Sequence, residues 1–547
     1  MRTAPTTKHT KATLVILTIL TILVLLFIPS CSNDPIAKLT VTTDVKDPEE
    51  LHADSWQALF EEFWAVMNED YVHFAYETEI DWDATYKDYI DKFKTLDYSK
   101  AEDSFTAFKY FKEIIWNLSD YHYHLDVTDN FGFTLDARPS VLQKWKAQGK
   151  DIMDFPDIIK TVTTEDEETK TTTKTYFSVN EGPTVEYTRA QALEKWNIAV
   201  SGFSEVEDLQ KAGTFHNPTG NIEDTYYAST YREVNKIAKA GNMYWDNFIV
   251  DSFQLEGTSW CTGITKNGVL YIYFSQFVDK DLITFCNYII QAETMTDDEK
   301  EVARNALPST IGTAINSYNK LSAKKGDTED QEKYEKRAQL ATQINAIVDV
   351  FRYLNSAVAK NKVALKDGTT VQINGIVIDL RDNGGGYAEF MTRFMSTFFA
   401  SDKTLGYCRY KMGFSRYDYT PWLEFNLNGY NSALTEDYQG RLAVITNGFS
   451  VSCSEITTIA SKLLPNSKIF GSTTFGGTCA LASREEFQSG PYENGTLTVR
   501  STTVRYKAFD QTSYEKVGIQ PDVPIALSST EDNRFTAAVN WAASGNL

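Results

Sequence analysis

The stretch LAVITNGFSVSCSEITTIASKLL, residues 442–464, runs from an apolar segment through a serine-rich turn into a helical pattern. A turn from a strand into a helix exposes the side chain at its corner, and the first amides of the helix point toward negative charge beside it. Ser452 lies at this corner, so the segment has what a nucleophilic serine needs. An ordinary helix cap by Ser452 or Ser454, with Glu455 in the first turn, explains the same pattern. The segment alone leaves both interpretations open.

A second pattern of strand, turn and helix precedes this one. The apolar run GIVIDL, residues 375–380, ends in RDNGGG, residues 381–386, and a helix is predicted over 387–400. Three consecutive glycines allow a tight turn whose amides can approach an oxyanion. Together with the apolar run at 266–278, these units predict an α/β core with parallel strands. Sites in such sheets lie at the carboxyl ends of strands, where the glycine turn and Ser452 both fall.

The amino-terminal segment has the pattern of an export signal. Three basic residues precede an apolar run at 12–28, which ends just before Cys31. This order predicts a bacterial lipoprotein signal peptide over 1–30, lipidation of Cys31 and a polar tether over 31–50. The alternative is an uncleaved membrane anchor, because about 17 apolar residues are near the lower limit for crossing a bilayer. We therefore expect a lipid-anchored protein of the bacterial cell envelope, on the periplasmic side of the inner or outer membrane.

Composition narrows the classes of partner and cofactor. The formal net charge is −21, or −24 without the three basic residues of 1–30, so nucleic acid is an unfavourable partner. Apart from Cys31 the chain has five cysteines, an odd number without paired CxxC spacing. This pattern predicts neither a structural metal site nor a disulfide framework, and no cofactor is expected.

A chain of 547 residues exceeds what one hydrophobic core usually covers, so several domains are expected. Aromatic and aliphatic residues at helical spacing predict an N-terminal helical domain over 51–125. Residues 126–258 are predicted to form a mixed α+β middle region of unknown role, with a charged hairpin at 161–179. The α/β core follows over 259–547, with a helical insertion at about 281–360 whose charge-rich part we expect to be a solvated helix pair.

Four segments carry a resemblance to a known family. GIVIDLRDNGGG, ITNGFSVSCSEI, GSTTFGGT and GIQPDVPI follow one another in the order seen in the C-terminal-processing and tricorn-type serine peptidases. The similar parts cover roughly residues 56–125 and 269–527. The resemblance implies a crotonase-like (ClpP/crotonase) α/β core, and it makes Ser452 the nucleophile.

The residue that would take the proton of this serine differs from the one in the best-known branch of the family. That branch has a general-base lysine 25 residues after the serine, where this chain has Gly477. The tricorn-type branch instead uses a histidine at the end of the helical domain, in the pattern L-x-D-G-H-T. NLSDYHYHL, residues 117–125, resembles that pattern, which implies His122 as the base, with His124 as the fallback. The family also implies a carboxylate that orients the histidine, and Glu515 is the candidate at the matching spacing.

The resemblance assigns the oxyanion donors to the backbone amides of Cys453 and of Gly385 or Gly386. A Cys453 nucleophile is the alternative to the serine, although the thiol has no obvious activator. Asp379 and Arg381 flank the end of a strand, and we expect them to hold the glycine turn rather than to react.

The sequence therefore predicts a membrane-anchored serine peptidase that hydrolyses periplasmic or exported proteins or peptides through an acyl-enzyme. A catalytically inactive peptide- or ligand-binding lipoprotein with the same fold is the alternative, and the missing lysine supports it. Acyl-CoA chemistry of the crotonase type is a second alternative, against which export argues. No PDZ pattern is present, so the sequence leaves open whether a free C-terminus is read, and it predicts no oligomeric state.

Overall fold

The computed structural model describes most of residues 53–127 and 260–546, and five short strands between them. The predicted signal peptide, the tether with Cys31 and most of the middle region lie outside the described residues. The described helices are α1 (Trp56–Asp70), α2 (Trp82–Lys94), α3 (Ala101–Ile115), α4 (Lys280–Ala292), α5 (Asp297–Asn305), α6 (Ser309–Leu321), α7 (Gln331–Lys360), α8 (Ala388–Ser396), α9 (Cys453–Ser461) and α10 (Asn533–Ser544). The described strands are β1 (His124–Val127), β2 (Phe133–Asp136), β3 (Ile158–Glu165), β4 (Thr171–Ser178), β5 (Val185–Tyr187), β6 (Met243–Tyr244), β7 (Trp260–Thr265), β8 (Val269–Phe274), β9 (Lys362–Ala364), β10 (Thr370–Gln372), β11 (Gly375–Asp379), β12 (Lys403–Tyr410), β13 (Leu423–Leu427), β14 (Arg441–Thr446), β15 (Ser467–Gly471), β16 (Tyr492–Glu493), β17 (Leu497–Arg500), β18 (Val504–Ala508) and β19 (Val523–Pro524).

The centre of the structure is a seven-stranded sheet in the order β19-β15-β14-β11-β8-β7-β6. Strands β8, β11, β14, β15 and β19 are parallel to one another, while β7 and β6 add an antiparallel edge. Every residue of β8 and β11 is buried, as expected for parallel strands covered on both faces. The predicted α/β core with parallel strands is confirmed.

Helices cover both faces of this sheet. Side chains of β11 alternate between them, so that Ile376 and Ile378 join one hydrophobic cluster and Val377 joins the other. The first cluster includes residues of α8 and α9, and the second is closed by Phe535 and Trp541 of α10. This arrangement fixes the carboxyl ends of β11 and β14 next to the helices that follow them.

The insertion between β8 and β9 differs from the expected solvated helix pair. It contains four helices, α4 to α7, in its described part. Their inner faces contribute Phe285, Ile311 and Phe351 to the main hydrophobic cluster, although the first turn of α7 is exposed. The described charge-rich residues are exposed as expected, whereas the amphipathic helices of the insertion bury their inner faces. Within the described part of the chain, no helix combines the length and the apolarity that crossing a membrane requires.

The predicted helices before residue 118 are confirmed as α1, α2 and α3. They pack around stacked and edge-on aromatic rings, with Phe60 against Phe93 and Phe63 against Phe111. The same cluster includes side chains of β1 and β17, because β1 lies between β17 and β2 in a four-stranded sheet. Buried Arg416 also attaches these three helices to the rest of the protein, because it donates to the side chain of Asn68 on α1 at 2.9 Å.

Three smaller sheets complete the described part, and one of them is the antiparallel pair of β9 and β10. Strands β3 and β4 pair antiparallel, which confirms the hairpin predicted at 161–179. Strands β13, β12 and β18 form an antiparallel sheet that faces the site described next.

Candidate active site

Ser452 lies in the turn between β14 and α9, as the sequence predicts. Its backbone has φ 56° and ψ −118°, which side-chain-bearing residues rarely adopt. Such a conformation costs on the order of 1–3 kcal/mol and persists where the surrounding structure enforces it. A strained serine at the corner of a strand and a helix is the geometry of a nucleophile elbow.

Glu455 holds this turn from inside the protein. Its carboxylate is buried and accepts the amide of Ser452 at 3.2 Å and the amide of Gly477 at 2.8 Å through one oxygen. The other oxygen accepts the amide of Gly476 at 2.8 Å and the hydroxyl of Thr474 at 2.6 Å. Burial raises the pKa of Glu455 to about 7. The position where the best-known branch has its lysine therefore serves here as a backbone anchor, and Glu455 has the first-turn role expected of it.

Asn383 connects the glycine turn to the serine turn. Its side-chain NH₂ group donates to the backbone carbonyl of Phe274 at 2.7 Å, and its backbone carbonyl accepts the amide of Val451 at 3.0 Å. Gly385 has φ 95°, and a Cβ at this position would lie 2.6 Å from the Cβ of Ser452. The two turns are thus in direct contact, and the contact requires glycine.

The three candidate oxyanion amides differ in whether they already donate a hydrogen bond within the protein. The Gly385 amide already donates to the side-chain oxygen of Asn383 at 2.9 Å. Among the described residues, the amides of Cys453 and Gly386 have no hydrogen-bond acceptor. The thiol of Cys453 donates to the carbonyl of Gly386 at 3.0 Å, which joins the serine turn to the glycine turn. Burial raises the pKa of Cys453 to about 12, so the thiol stays protonated and is a poor nucleophile.

Ser452 and His122 line the same cavity, of about 1250 Å³, although more than 300 residues separate them in the sequence. The glycine turn 384–386 lines the cavity as well. Its other walls include apolar and aromatic side chains of the β12, β13 and β18 sheet: Cys408, Tyr410, Phe425, Val504 and Tyr506. An extended peptide has room beside the serine in a cleft of this size.

His122 is half-buried, and its amide donates to the side chain of Asp120 at 2.8 Å. Burial lowers the pKa of His122 to about 4, so the ring is neutral at pH 7 and can accept a proton. The fallback base His124 lies on β1 with its Nε2 at 2.7 Å from Asp126, and it is not among the described residues of the cavity wall.

Glu515 is buried behind the cavity wall. One carboxylate oxygen accepts the amide of Cys479 at 2.7 Å and the hydroxyl of Thr478 at 3.1 Å, and Thr478 itself lines the cavity. Burial raises the pKa of Glu515. These contacts connect Glu515 to the wall next to the site, and its role in orienting His122 stays a prediction.

His73 was not found by sequence reasoning. Its ring lies with Cys479 and Glu515 in a buried cluster whose possible ligand atoms are all within 4.8 Å of one another. A guanidinium nitrogen of Arg505 lies 2.7 Å from the Nδ1 of His73, and the charge of Arg505 also acts on both other members. A metal cation does not fit beside this guanidinium, so the described cluster is better suited to a hydrogen-bond network. His73 is a single histidine between two predicted helices, and nothing in the sequence around it predicts its place in a buried hydrogen-bond network.

Asp379 and Arg381 have the structural role expected of them. The buried guanidinium of Arg381 donates to Asp379 at 2.5 Å and to Asp532 at 2.8 Å. It thereby ties the end of β11 to the residue that caps α10.

A strained serine at a helix N-terminus, next to a glycine turn and in one cavity with a histidine, is the arrangement typical of serine hydrolases with an α/β core. Residues 346–525 match the family model of peptidase family S41. This match confirms the resemblance drawn from the four segments, all of which lie within it.

Curated relatives match over a limited length. A protein named "Probable CtpA-like serine protease" from Staphylococcus haemolyticus (strain JCSC1435) is 29% identical over 173 residues, which is 32% of this chain and 30% of the relative. A protein of the same name from Staphylococcus epidermidis (strain ATCC 12228) is 24% identical over 193 residues, 35% of each chain. The chain thus spans about a third of the length of these relatives.

One solved structure is similar over most of its length. It is a putative peptidase from Parabacteroides merdae ATCC 43184, with a TM-score of 0.44 and 15% sequence identity over 90% of this chain and 98% of that one.

Proposed function

We propose that the protein is a serine peptidase that cleaves peptide bonds through an acyl-enzyme on Ser452. The observation that carries the proposal is the shared cavity of a strained serine and a neutral histidine. The match of residues 346–525 to peptidase family S41 supports it, as do relatives named as serine proteases.

The reaction follows from the groups that meet in the cavity. His122 takes the proton of the Ser452 hydroxyl while the oxygen bonds to the peptide carbonyl carbon. The amides of Cys453 and Gly386 hold the resulting oxyanion, each contributing on the order of 3 kcal/mol. The protonated histidine then gives its proton to the departing amine as the C–N bond breaks. Water attacks the acyl-enzyme with His122 again as base, and release of the new carboxyl group restores the serine.

The finer parts of the proposal concern architecture and location. We infer a crotonase-like α/β core with an N-terminal helical domain that delivers His122, and a role for Glu515 in orienting that histidine. The sequence of residues 1–31 supports a lipid anchor on Cys31 and a place in the bacterial cell envelope. The substrates would then be periplasmic or exported proteins or peptides.

Labelling with a fluorophosphonate tests the proposal, because this reagent reacts with activated serines. We expect a single adduct that mass spectrometry locates on Ser452 and that is absent from Ser452→Ala and His122→Ala. His124→Ala is the matched control, a histidine two residues away that we expect to leave labelling intact. Well-folded protein that takes up no label would contradict the peptidase and favour the inactive binding protein.

A further inference from the structure

The loop that carries His122 is fastened to the α/β core by one buried carboxylate. Asp120 is fully buried, and its two oxygens accept two different backbone amides. One is the amide of His122 at 2.8 Å, and the other is the amide of Thr502 at 2.5 Å. Thr502 belongs to the link between β17 and β18, so Asp120 joins parts of the chain that are 382 residues apart.

Thr502 is itself held in place by a second set of buried groups. Its carbonyl accepts the amide of Val72 at 3.0 Å, and its hydroxyl oxygen lies 2.6 Å from the Nε2 of His73. The Nδ1 of the same ring lies 2.7 Å from a nitrogen of Arg505. All of these side chains are less than one tenth exposed.

The hydrogen-bond directions in this set follow from chemistry. A guanidinium only donates, so Nδ1 of His73 accepts from Arg505 and Nε2 carries the proton. That N–H donates to the hydroxyl oxygen of Thr502, which leaves the hydroxyl proton available to the Asp120 carboxylate that accepts the amide of the same threonine. Donors thus point from Arg505 through His73 and Thr502 toward Asp120, and Asp120 also accepts the amide of His122. We call this set the relay.

We propose that Asp120 and Thr502 are positioning residues, which hold the loop of His122 at the distance and orientation that proton transfer from Ser452 requires. His73 is the remote support of this relay. The inference rests on the proposed peptidase function. It predicts a defect in the chemical step rather than in binding, since a misplacement of about 1 Å at a reacting group can cost on the order of 100-fold in rate.

Two substitutions perturb the relay at different points. Asp120→Asn replaces one accepting oxygen with an NH₂ group, which cannot accept the backbone amide it faces. Thr502→Val keeps the backbone amide that Asp120 accepts but removes the hydroxyl between His73 and Asp120. Thr502→Ser restores that hydroxyl and is the matched rescue variant.

The experiment measures the rate constant of fluorophosphonate inactivation and the reagent's inhibition constant separately, on the full chain. We expect Asp120→Asn to lower the rate constant about 10- to 100-fold and Thr502→Val about 3- to 30-fold, with the inhibition constant within about threefold of wild type. Thr502→Ser should stay within about twofold of wild type. The melting temperature of each of the three variants is measured as well. If Asp120→Asn does not fold, the comparison of Thr502→Val with Thr502→Ser still tests the inference.

Three outcomes overturn the inference. Wild-type rates in both Asp120→Asn and Thr502→Val would do so, and so would a Thr502→Ser variant as slow as Thr502→Val. Either of these two results would refute only the positioning role of Asp120 and Thr502, provided that the wild-type protein is labelled and His122→Ala is not. Folded wild-type protein without label would instead overturn the proposed function, and the positioning role with it.

Discussion

Gly385→Ala tests whether the contact between the glycine turn and the serine turn sets the activity. The added Cβ would lie 2.6 Å from the Cβ of Ser452, 2.9 Å from the carbonyl oxygen of Val451 and 3.1 Å from the amide nitrogen of Cys453. Carbon atoms in contact prefer about 3.5–4.0 Å, so the two turns must move apart by about 1 Å. The φ of 95° at Gly385 adds strain of about 1–3 kcal/mol for any other residue.

Both effects act on the reacting groups. A shift of about 1 Å corresponds to on the order of 100-fold in rate, so we expect Gly385→Ala to label with fluorophosphonate at least about 100-fold more slowly than wild type. The strain predicts a loss of folding free energy of about 1–3 kcal/mol, measured by urea unfolding.

The neighbouring glycine provides the matched control. A Cβ on Gly384 would meet no atom within 4 Å, and its φ lies outside the left-handed region. Gly384→Ala should therefore keep labelling within about threefold of wild type and change stability by less than about 0.5 kcal/mol. Equal loss in both variants, or near wild-type labelling of Gly385→Ala, would show that this contact does not set the activity.

Three further predictions follow from buried groups. Burial lowers the pKa of His122 to about 4, so the NMR signals of its ring should not titrate between pH 8 and about 5. The unfolded chain takes up this proton near pH 6.5, so the folding free energy that His122 contributes is lost as the pH falls from 6.5 toward 4. An NMR titration midpoint of His122 near pH 6.5 would contradict this. Because the Cys453 thiol stays protonated, iodoacetamide at pH 7 should leave fluorophosphonate labelling unchanged, and loss of labelling would implicate the thiol. Arg381→Ala removes the guanidinium that pairs with the buried carboxylates of Asp379 and Asp532, and should cost about 3–5 kcal/mol in urea unfolding. A loss below about 1 kcal/mol would show that the ion pair is not needed.

Sequence patterns predicted the parts of the site that local structure determines. Apolar runs followed by Gly-rich or Ser-rich turns gave the ends of β11 and β14, and hence the positions of the glycine turn and of Ser452. The serine turn keeps one bond of the helix-cap pattern, since Glu455 accepts the amide of the same serine whose backbone is strained. The nucleophilic role of Ser452 stays a prediction.

The geometry of individual turns and the contacts between distant segments could not be predicted. The amide of Gly385 is occupied by Asn383, which depends on the fold of one turn rather than on any spacing in the sequence. The relay from His73 to Asp120 crosses from the helices to the link before β18, and its residues are individually unremarkable in sequence. For the helical insertion, the charge-rich residues predicted the exposed part, but not the four helices whose inner faces join the main hydrophobic cluster.

The most direct test of the central claim is a crystal structure of the fluorophosphonate adduct. The account predicts phosphorus bonded to the oxygen of Ser452, with the phosphonyl oxygen about 2.7–3.1 Å from the amides of Cys453 and Gly386. It also predicts a ring nitrogen of His122 within about 3.2 Å of the Ser452 oxygen. An adduct on another residue, or one on Ser452 with His122 beyond the reach of a hydrogen bond, would contradict it.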